Sequence, residues 1–178
     1  MRYKAESIES YKFKPDEGFL VDTNVWIYIN GAPYLGNPET EVYSKALAKI
    51  LDANSKIFID VLIVSEFINT LARIKWKLSE HCYSNFKDFR KSGAFKPIAS
   101  GIAADTRRTI KLCSKLDIAF STFCFDDLLD EYAQGDADFN DQVIVELCKN
   151  MKLKLITHDG DFKGKEVSLL TANRRLLL

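Results

Sequence analysis

The sequence has few cysteines and histidines, and they are too scattered to form a metal or disulfide framework. It contains four cysteines and two histidines. No two cysteines form a CxxC pair, which disfavours the common structural zinc sites. We therefore interpret Cys82, Cys113, Cys124 and Cys148 as isolated buried thiols, as is typical of a protein in a reducing compartment.

Long apolar runs and an excess of charge are also missing. No stretch approaches the roughly 20 apolar residues of a membrane span, and residues 1–18 are charged and lack the apolar core of a signal peptide. We therefore expect a cytoplasmic protein without membrane association. The 25 lysines and arginines equal the 25 acidic residues in number, so the total charge does not indicate a polyanionic partner, although a local basic patch could still bind one.

Three common phosphate-handling motifs are absent. No GxGxxG follows the first apolar strand, which disfavours a dinucleotide-binding fold, and there is no Walker P-loop. A phosphatase that forms an aspartyl phosphate would need a second aspartate two positions after Asp22, where this chain has Asn24.

The length and composition predict one globular domain with a preceding segment. A chain of 178 residues can bury close to 70 % of its unfolded surface in a single core. Residues 1–18 are rich in Lys, Glu and Ser and end in a turn-forming run, so we interpret them as an N-terminal extension that buries little apolar surface. The domain itself is predicted to span residues 19–178, with a helical middle at about 79–115.

Strand and helix patterns alternate along this domain. Residues 19–21 form a short apolar run that is typical of a buried parallel strand. Further strands are predicted at about 56–59, 153–157 and 167–170, and helices at about 39–53, 61–78, 126–132 and 140–151. Two or three more helices are predicted between 79 and 116, with breaks at Ser92-Gly93 and Lys96-Pro97. In the helix at about 61–78, the predicted apolar stripe consists of Val64, Phe67, Ile68, Leu71 and Leu78. This order predicts an α/β three-layer sandwich with a mostly parallel central sheet.

Four acidic residues stand where such a fold would bring them together. Asp22 follows the first strand, Asp159 follows a late strand, Asp141 opens a helix and Glu66 begins a polar helix face. Each alone has an ordinary explanation, such as an N-cap, a turn or a solvated surface. Together, four carboxylates in one cleft would repel each other unless a cation joined them, and an oxygen-only ligand set selects Mg²⁺ or Mn²⁺. Such a site suits hydrolysis of a phosphodiester.

The local sequence around these acids resembles the PIN-domain ribonuclease family. The resemblance rests on Phe19-Leu-Val-Asp-Thr-Asn-Val-Trp26, on Ser65-Glu66 with Asn69 one turn later, on Asp141 at the start of an apolar helix, and on Thr157-His-Asp-Gly-Asp-Phe162. These marks follow the family order over residues 19–162. This chain departs from compact family members in its N-terminal extension and its longer middle.

The resemblance implies a role for each matching position. Asp22, Glu66, Asp141 and Asp159 would be catalytic metal ligands, with Asp138 as the substitute for Asp141 if the helix begins one turn earlier. The neighbouring groups that would hold these ligands or assist them are Thr23, Asn24, Asn69, Thr157 and Asp161. The family also implies an endoribonuclease that acts on RNA with Mg²⁺ or Mn²⁺, a homodimer and, for its toxin members, an antitoxin protein as partner.

Two points stay open at the level of sequence. A basic cluster at Arg73, Lys75, Lys77, Arg107, Arg108 and Lys111 could hold RNA phosphates, with Arg73 and Lys77 as the candidate substrate-binding residues, or could be a solvated helix face. The alternative function is a PIN-like scaffold that binds RNA or protein without hydrolysis. Retention of all four acids argues against it, because a binding module does not need four repelling carboxylates in one cleft.

Overall fold

The computed structural model of the protein describes residues 4–30, 37–79, 83–117, 119–135 and 138–178. It contains a six-stranded sheet in which every pair of neighbouring strands is parallel. The strands are β1 (Ala5–Ser7), β2 (Gly18–Val21), β3 (Lys56–Ile59), β4 (Ser114–Lys115), β5 (Lys154–Ile156) and β6 (Leu169–Thr171). The predicted parallel sheet is therefore confirmed.

Eight α-helices accompany the sheet in the described residues. They are α1 (Thr23–Asn30), α2 (Glu39–Asp52), α3 (Val61–Lys77), α4 (Phe86–Lys91), α5 (Phe95–Lys111), α6 (Phe125–Ala133), α7 (Phe139–Met151) and α8 (Arg174–Leu177). Short 3₁₀ helices lie at Phe120–Thr122 and at Gly160–Phe162. The architecture is the three-layer α/β sandwich that the alternation predicted. None of these described helices has both the length and the apolar character needed to cross a membrane.

The strand order places one crevice at the carboxyl edge of the sheet. The order is β1-β6-β5-β2-β3-β4, so the chain moves from β2 to one side through β3 and β4, and then crosses to the other side for β5 and β6. The strands β2 and β5 are neighbours, with Val21 opposite Ile156. In open parallel sheets, ligands bind where the strand order reverses in this way. Residues that follow β2 and β5 are therefore the first candidates for a functional site.

The strand β2 lies inside the sheet, paired with β3 along one edge and with β5 along the other, and its side chains are buried. Phe19 and Leu20 are completely buried, as are Leu155 and Leu170 in the adjacent strands β5 and β6. At the start of β2, a Cβ on Gly18 would lie 2.6 Å from a side-chain carbon of Leu153. A larger residue at this position would require the end of the Leu153 side chain to shift.

The N-terminal segment is part of the core, which corrects the expectation that residues 1–18 bury little apolar surface. The strand β1 pairs with β6, Ile8 is completely buried, and Tyr11 and Phe13 pack on the core beside Phe19. The burial of these residues was not predictable from composition, because the few apolar residues of the segment are spread among lysines and glutamates. We note also that Tyr11 and Lys154 both bond to Glu17, which joins the segment to the start of β5.

The helical middle and one helix face also differ from expectation. Pro97 lies in the first turn of α5 and does not break it, because backbone N–H groups in a first turn have no partner inside the helix. The buried stripe of α3 is centred on Ile63, Phe67 and Leu71, and the predicted core residue Ile68 is exposed.

Of the three cysteines that the structure describes, only Cys148 is buried as predicted. Cys113 is only partly buried and Cys124 is exposed, and Cys82 lies outside the described residues.

Candidate functional site

Asp22 is the most buried acid of the candidate site. It directly follows β2, its backbone N–H donates to Ile156 of β5, and it is only 5 % exposed. Its Oδ1 accepts a hydrogen bond from the Thr23 backbone N–H at 2.6 Å. The sheet itself therefore places this carboxylate in the crevice between β2 and β5.

The second oxygen of Asp22 is held by two side chains. Asn24 Nδ2 and the Thr157 hydroxyl each donate to Asp22 Oδ2 at 2.6 Å. Asn24 Oδ1 in turn accepts from the His158 backbone N–H at 3.1 Å. Thr23, Asn24 and Thr157, which the resemblance named as supporting groups, thus lie around Asp22 and orient both of its oxygens.

Asp159 lies on the turn that follows β5. Its backbone N–H donates to the Thr157 hydroxyl at 3.0 Å, and its Oδ1 accepts from the Asp161 backbone N–H at 3.0 Å. Asp159 and Asp161 are both exposed. The turn therefore presents two solvent-facing carboxylates next to the buried one.

Glu66 reaches the same crevice from α3. Its Oε2 accepts a hydrogen bond from the Thr23 hydroxyl at 3.1 Å, although the side chain is exposed. Thr23 thus links two predicted ligands, with its backbone bonded to Asp22 and its hydroxyl bonded to Glu66.

The N-terminus of α7 distinguishes Asp141 from Asp138. Asp138 is the N-cap, and its exposed side chain accepts from the Asn140 backbone N–H at 2.8 Å. Asp141 lies in the first helical turn and is partly buried. Because Asp138 already performs the capping role, Asp141 is not explained as a helix cap, and its carboxylate is the one available to the crevice.

Burial and like charges raise the pKa values of the two inner acids. Burial is the largest cause for Asp22, and the charges of Glu66 and Asp159 add to it, so that its pKa rises to about 6 although its hydrogen bond from Thr157 opposes the change. Burial, followed by the charge of Asp22, raises the pKa of Asp141 to about 7, and Asp138, Asp159 and Asp161 add to the effect. The charges of neighbouring acids therefore add to burial in raising the pKa values of both Asp22 and Asp141.

The carboxylate oxygens of the site are the ligand type that a hard divalent cation prefers. In this structure, however, the described acidic side chains do not converge closely enough to form a ligand shell. In the part of the chain that the structure describes, no three acidic, histidine or cysteine side chains are close enough to hold a metal ion. There, too, Asp22, Glu66, Asp141 and Asp159 form no ion pair with a basic side chain. A buried carboxylate without a cationic partner is costly, and a cation bound to oxygen ligands would remove that cost.

A further layer of residues beneath the turn was missed by the sequence analysis. The Tyr43 hydroxyl lies 2.9 Å from His158 Nδ1 and 3.3 Å from the Thr157 carbonyl oxygen, and it accepts from the Ala172 N–H at 3.1 Å. Asn173 Nδ2 donates to the His158 carbonyl at 2.8 Å. Tyr43 lies on the buried face of α2, where any core aromatic would produce the same sequence pattern.

Three other predicted positions lie outside this hydrogen-bonded cluster. Asn69 is exposed on α3, and its side chain bonds only weakly to Ser65, at 3.5 Å. Arg73 and Lys77 lie further along the same helix, also exposed. The Arg73 guanidinium is 4.9 Å from the centre of the Phe86 ring.

The raised pKa values predict that the metal-free protein loses stability as pH rises. Because Asp22 and Asp141 titrate at about 6 and about 7 instead of at their usual 3.8, their folded forms hold protons that the unfolded chain has released. The stability they contribute is complete below about pH 4 and is lost as pH rises to about 7. In EDTA, we expect the melting temperature of Asp141→Asn at pH 7.5 to exceed that of the wild type, and its dependence on pH to be shallower.

The matched control for this measurement is Asp52→Asn, which neutralises an exposed acid at the end of α2. Asp141→Asn should also weaken the stabilisation given by added Mn²⁺, since that stabilisation follows metal affinity. A lower melting temperature in EDTA together with an unchanged response to Mn²⁺ would assign Asp141 a purely structural role.

Comparison with known proteins identifies the family. The family model described as PIN domain matches residues 19–167, and the chain therefore belongs to the PIN-domain family. No curated protein matches the chain in sequence.

Two solved structures are similar in fold. VapBC2 from Rickettsia felis, solved bound to a DNA fragment from its promoter, is 14 % identical and has a TM-score of 0.57, with 86 % of this chain and 98 % of that chain covered. PAE2754 from Pyrobaculum aerophilum is 13 % identical with a TM-score of 0.49, over 90 % of this chain and 93 % of that one.

Proposed function

We propose that the protein is a metal-dependent endoribonuclease that hydrolyses RNA phosphodiester bonds at the carboxyl edge of its sheet. The observation that carries the proposal is the Asp22 carboxylate. It is buried in the crevice between β2 and β5, where the strand order reverses, and it accepts hydrogen bonds from three donors. The charges of neighbouring acids add to burial in raising its pKa. The PIN-domain match over residues 19–167 supports a nuclease.

In this proposal Asp22, Glu66, Asp141 and Asp159 hold Mg²⁺ or Mn²⁺, directly or through water. A divalent ion held by these residues would activate a water molecule and would neutralise charge on the phosphodiester during hydrolysis. The chain's own contribution is orientation: Thr157 and Asn24 fix Asp22 Oδ2, and Thr23 fixes both Asp22 Oδ1 and Glu66. Asp161, next to Asp159 on an exposed turn, would assist as an additional acid.

The direct test is cleavage of single-stranded RNA by the purified protein. We expect cleavage with Mg²⁺ or Mn²⁺, loss of cleavage in EDTA and recovery when the metal is restored. DNA of the same base sequence serves as the comparison, and we expect it to be cut much more slowly. RNA that stays intact with both metals would contradict the proposal and favour the binding scaffold without hydrolysis.

A second proposal concerns partners. One structural neighbour is the toxin-antitoxin pair VapBC2, which supports the proposal that this chain is a toxin silenced by an antitoxin protein. We further propose a homodimer, as the family resemblance implies. The solution mass of the purified protein tests the dimer. Rescue of cell growth by a gene adjacent to that of the protein tests the antitoxin.

A further inference from the structure

The chain is neutral overall, but its charges are strongly separated along the sequence. Residues 73–115 contain eleven lysines and arginines but only three acidic residues. Residues 116–162 contain the reverse, with three lysines and arginines and eleven acidic residues. The first segment comprises the end of α3, all of α4 and α5, and β4. The second contains α6, α7 and the turn with Asp159. Basic residues are therefore concentrated in the part of the chain that directly precedes the segment with Asp141 and Asp159, two of the four acids of the candidate site.

The helix α3 carries an acid of the candidate site and two basic residues on one exposed face. Glu66, Asn69, Arg73 and Lys77 are separated by three or four residues and share one helical face, and all four are exposed. The opposite face, with Ile63, Phe67 and Leu71, is buried. At 1.5 Å per residue, Arg73 lies about 10 Å and Lys77 about 16 Å along the axis from Glu66. An extended strand bound at Glu66 could therefore continue along this face.

The aromatic ring of Phe86 holds two cations at the far end of that face. The Arg73 guanidinium is 4.9 Å from the ring centre, and the Arg90 guanidinium of α4 is 5.8 Å from the same centre. Phe86 packs on the core, so the ring is a fixed support. A cation held over a ring loses less freedom when it binds a ligand, and the guanidinium edge keeps N–H donors for phosphate oxygens.

These cations are not neutralised by nearby acids. Within the described ranges, Arg73, Lys77 and Arg90 form no ion pair with an acidic side chain, whereas Arg108 on α5 pairs with Asp105. Among the described residues, no acid therefore competes with a phosphate for the two guanidinium groups at the Phe86 ring.

We propose that Arg73, Lys77 and Arg90, which we call the α3 track, bind backbone phosphates of the RNA strand whose neighbouring phosphodiester lies at the carboxylate cluster. This inference rests on the proposed nuclease function and specifies its substrate contacts. The ligand is the sugar-phosphate chain, so the track provides affinity and orientation without selecting a base sequence. It also explains how a site surrounded by acids can retain a polyanion, because Arg73 and Lys77 lie about two and three helical turns from Glu66.

The test compares two double variants that remove the same charge. Arg73→Gln with Lys77→Gln alters the track, and Lys12→Gln with Lys56→Gln removes two exposed lysines outside it, at the amino-terminal side of the sheet. Binding of fluorescently labelled single-stranded polyuridylate is measured by polarisation in EDTA over a series of salt concentrations. For a single strand, each phosphate contact contributes about 0.7 to the slope of log affinity against log salt.

We expect the track variant to bind the RNA on the order of tenfold more weakly and to lose about 1.4 from the slope, which corresponds to two contacts. The control variant should retain the wild-type slope, and both variants should melt close to the wild type. In cleavage assays, the track variant should raise KM for a long RNA and leave kcat unchanged. Equal slopes for the two variants would overturn the proposal.

The two proposals can fail separately. A wild-type protein that does not cleave RNA but shows the track-dependent slope would refute the nuclease and retain the track. Cleavage that is unaffected by the track variant, on long RNA as well as short, would refute the track and retain the nuclease. If the track variant loses binding to a protein partner but retains RNA affinity, the surface serves that partner and the proposal is wrong.

Discussion

The substitution Asp22→Asn is expected to lower RNA cleavage by about a thousandfold, which corresponds to roughly 4 kcal/mol of transition-state stabilisation. Asparagine keeps the shape of the side chain and one oxygen for the Thr23 N–H. It removes the negative charge that a divalent ion requires, at a carboxylate that follows β2 and whose backbone is bonded to β5. The measurement is kcat/KM with saturating Mn²⁺, together with a melting curve to show that the protein is folded.

The matched control is Asp60→Asn. Asp60 also follows a central strand, β3, and it is partly buried. Its Oδ1 accepts from the Ile63 backbone N–H as the N-cap of α3, a role that asparagine also fills. We therefore expect Asp60→Asn to retain activity. Wild-type rates in Asp22→Asn would remove Asp22 from the catalytic site, and equal losses in both variants would indicate a general effect of acids at this sheet edge.

Deletion of residues 1–13 is expected to cost a large part of the folding free energy. It would remove β1 from the edge of the sheet, the completely buried Ile8, and the packing of Tyr11 and Phe13 on Phe19. Truncation of one such buried residue, as in Ile8→Ala, typically costs about 2–5 kcal/mol, and a domain has only about 5–15 kcal/mol in total. We expect the deleted protein to be largely unfolded or aggregated at 37 °C, as measured by denaturant titration or expression in soluble form.

Two point variants separate the packing contribution from a general effect of changing the segment. Ile8→Ala should lower the midpoint of urea unfolding strongly, and Lys12→Ala, at an exposed position, should leave it near the wild-type value. If the deletion melts like the full-length protein, residues 1–13 are a dispensable extension, as their composition first suggested.

The parts of the fold that were predictable from sequence are those with a strong local pattern. The strand β3 was predicted with its observed bounds, and β2, α2, α3 and α7 to within a residue or two, because each combines a clear apolar period with a cap or turn. The strands β1 and β4 were missed, since three and two residues at a sheet edge leave no periodic signal. Pro97 was misinterpreted because a proline in a first helical turn and a helix break have the same local sequence.

For the candidate site, the sequence predicted which acids follow β2 and β5, but it did not predict which residues beneath the turn support them. The rule that acids at the ends of parallel strands converge located Asp22 and Asp159, and the family resemblance added Glu66 and Asp141. The Tyr43 hydroxyl, which joins α2 to the turn after β5, depends on a contact between residues 114 positions apart. No local pattern records such a contact, so only the folded structure reveals it.

The two edges of the sheet have a consequence for association between molecules. An edge strand with unpaired N–H and C=O groups is a template onto which another chain can add, and long, flat, apolar edges promote aggregation. Here one edge is β4, with two exposed residues that include Lys115, and the other is β1, with three residues that include the exposed Glu6. Such short edges, each with a charge, offer little backbone for a growing intermolecular sheet. The native fold therefore resists amyloid-like stacking at the two places where an open parallel sheet is most vulnerable to it.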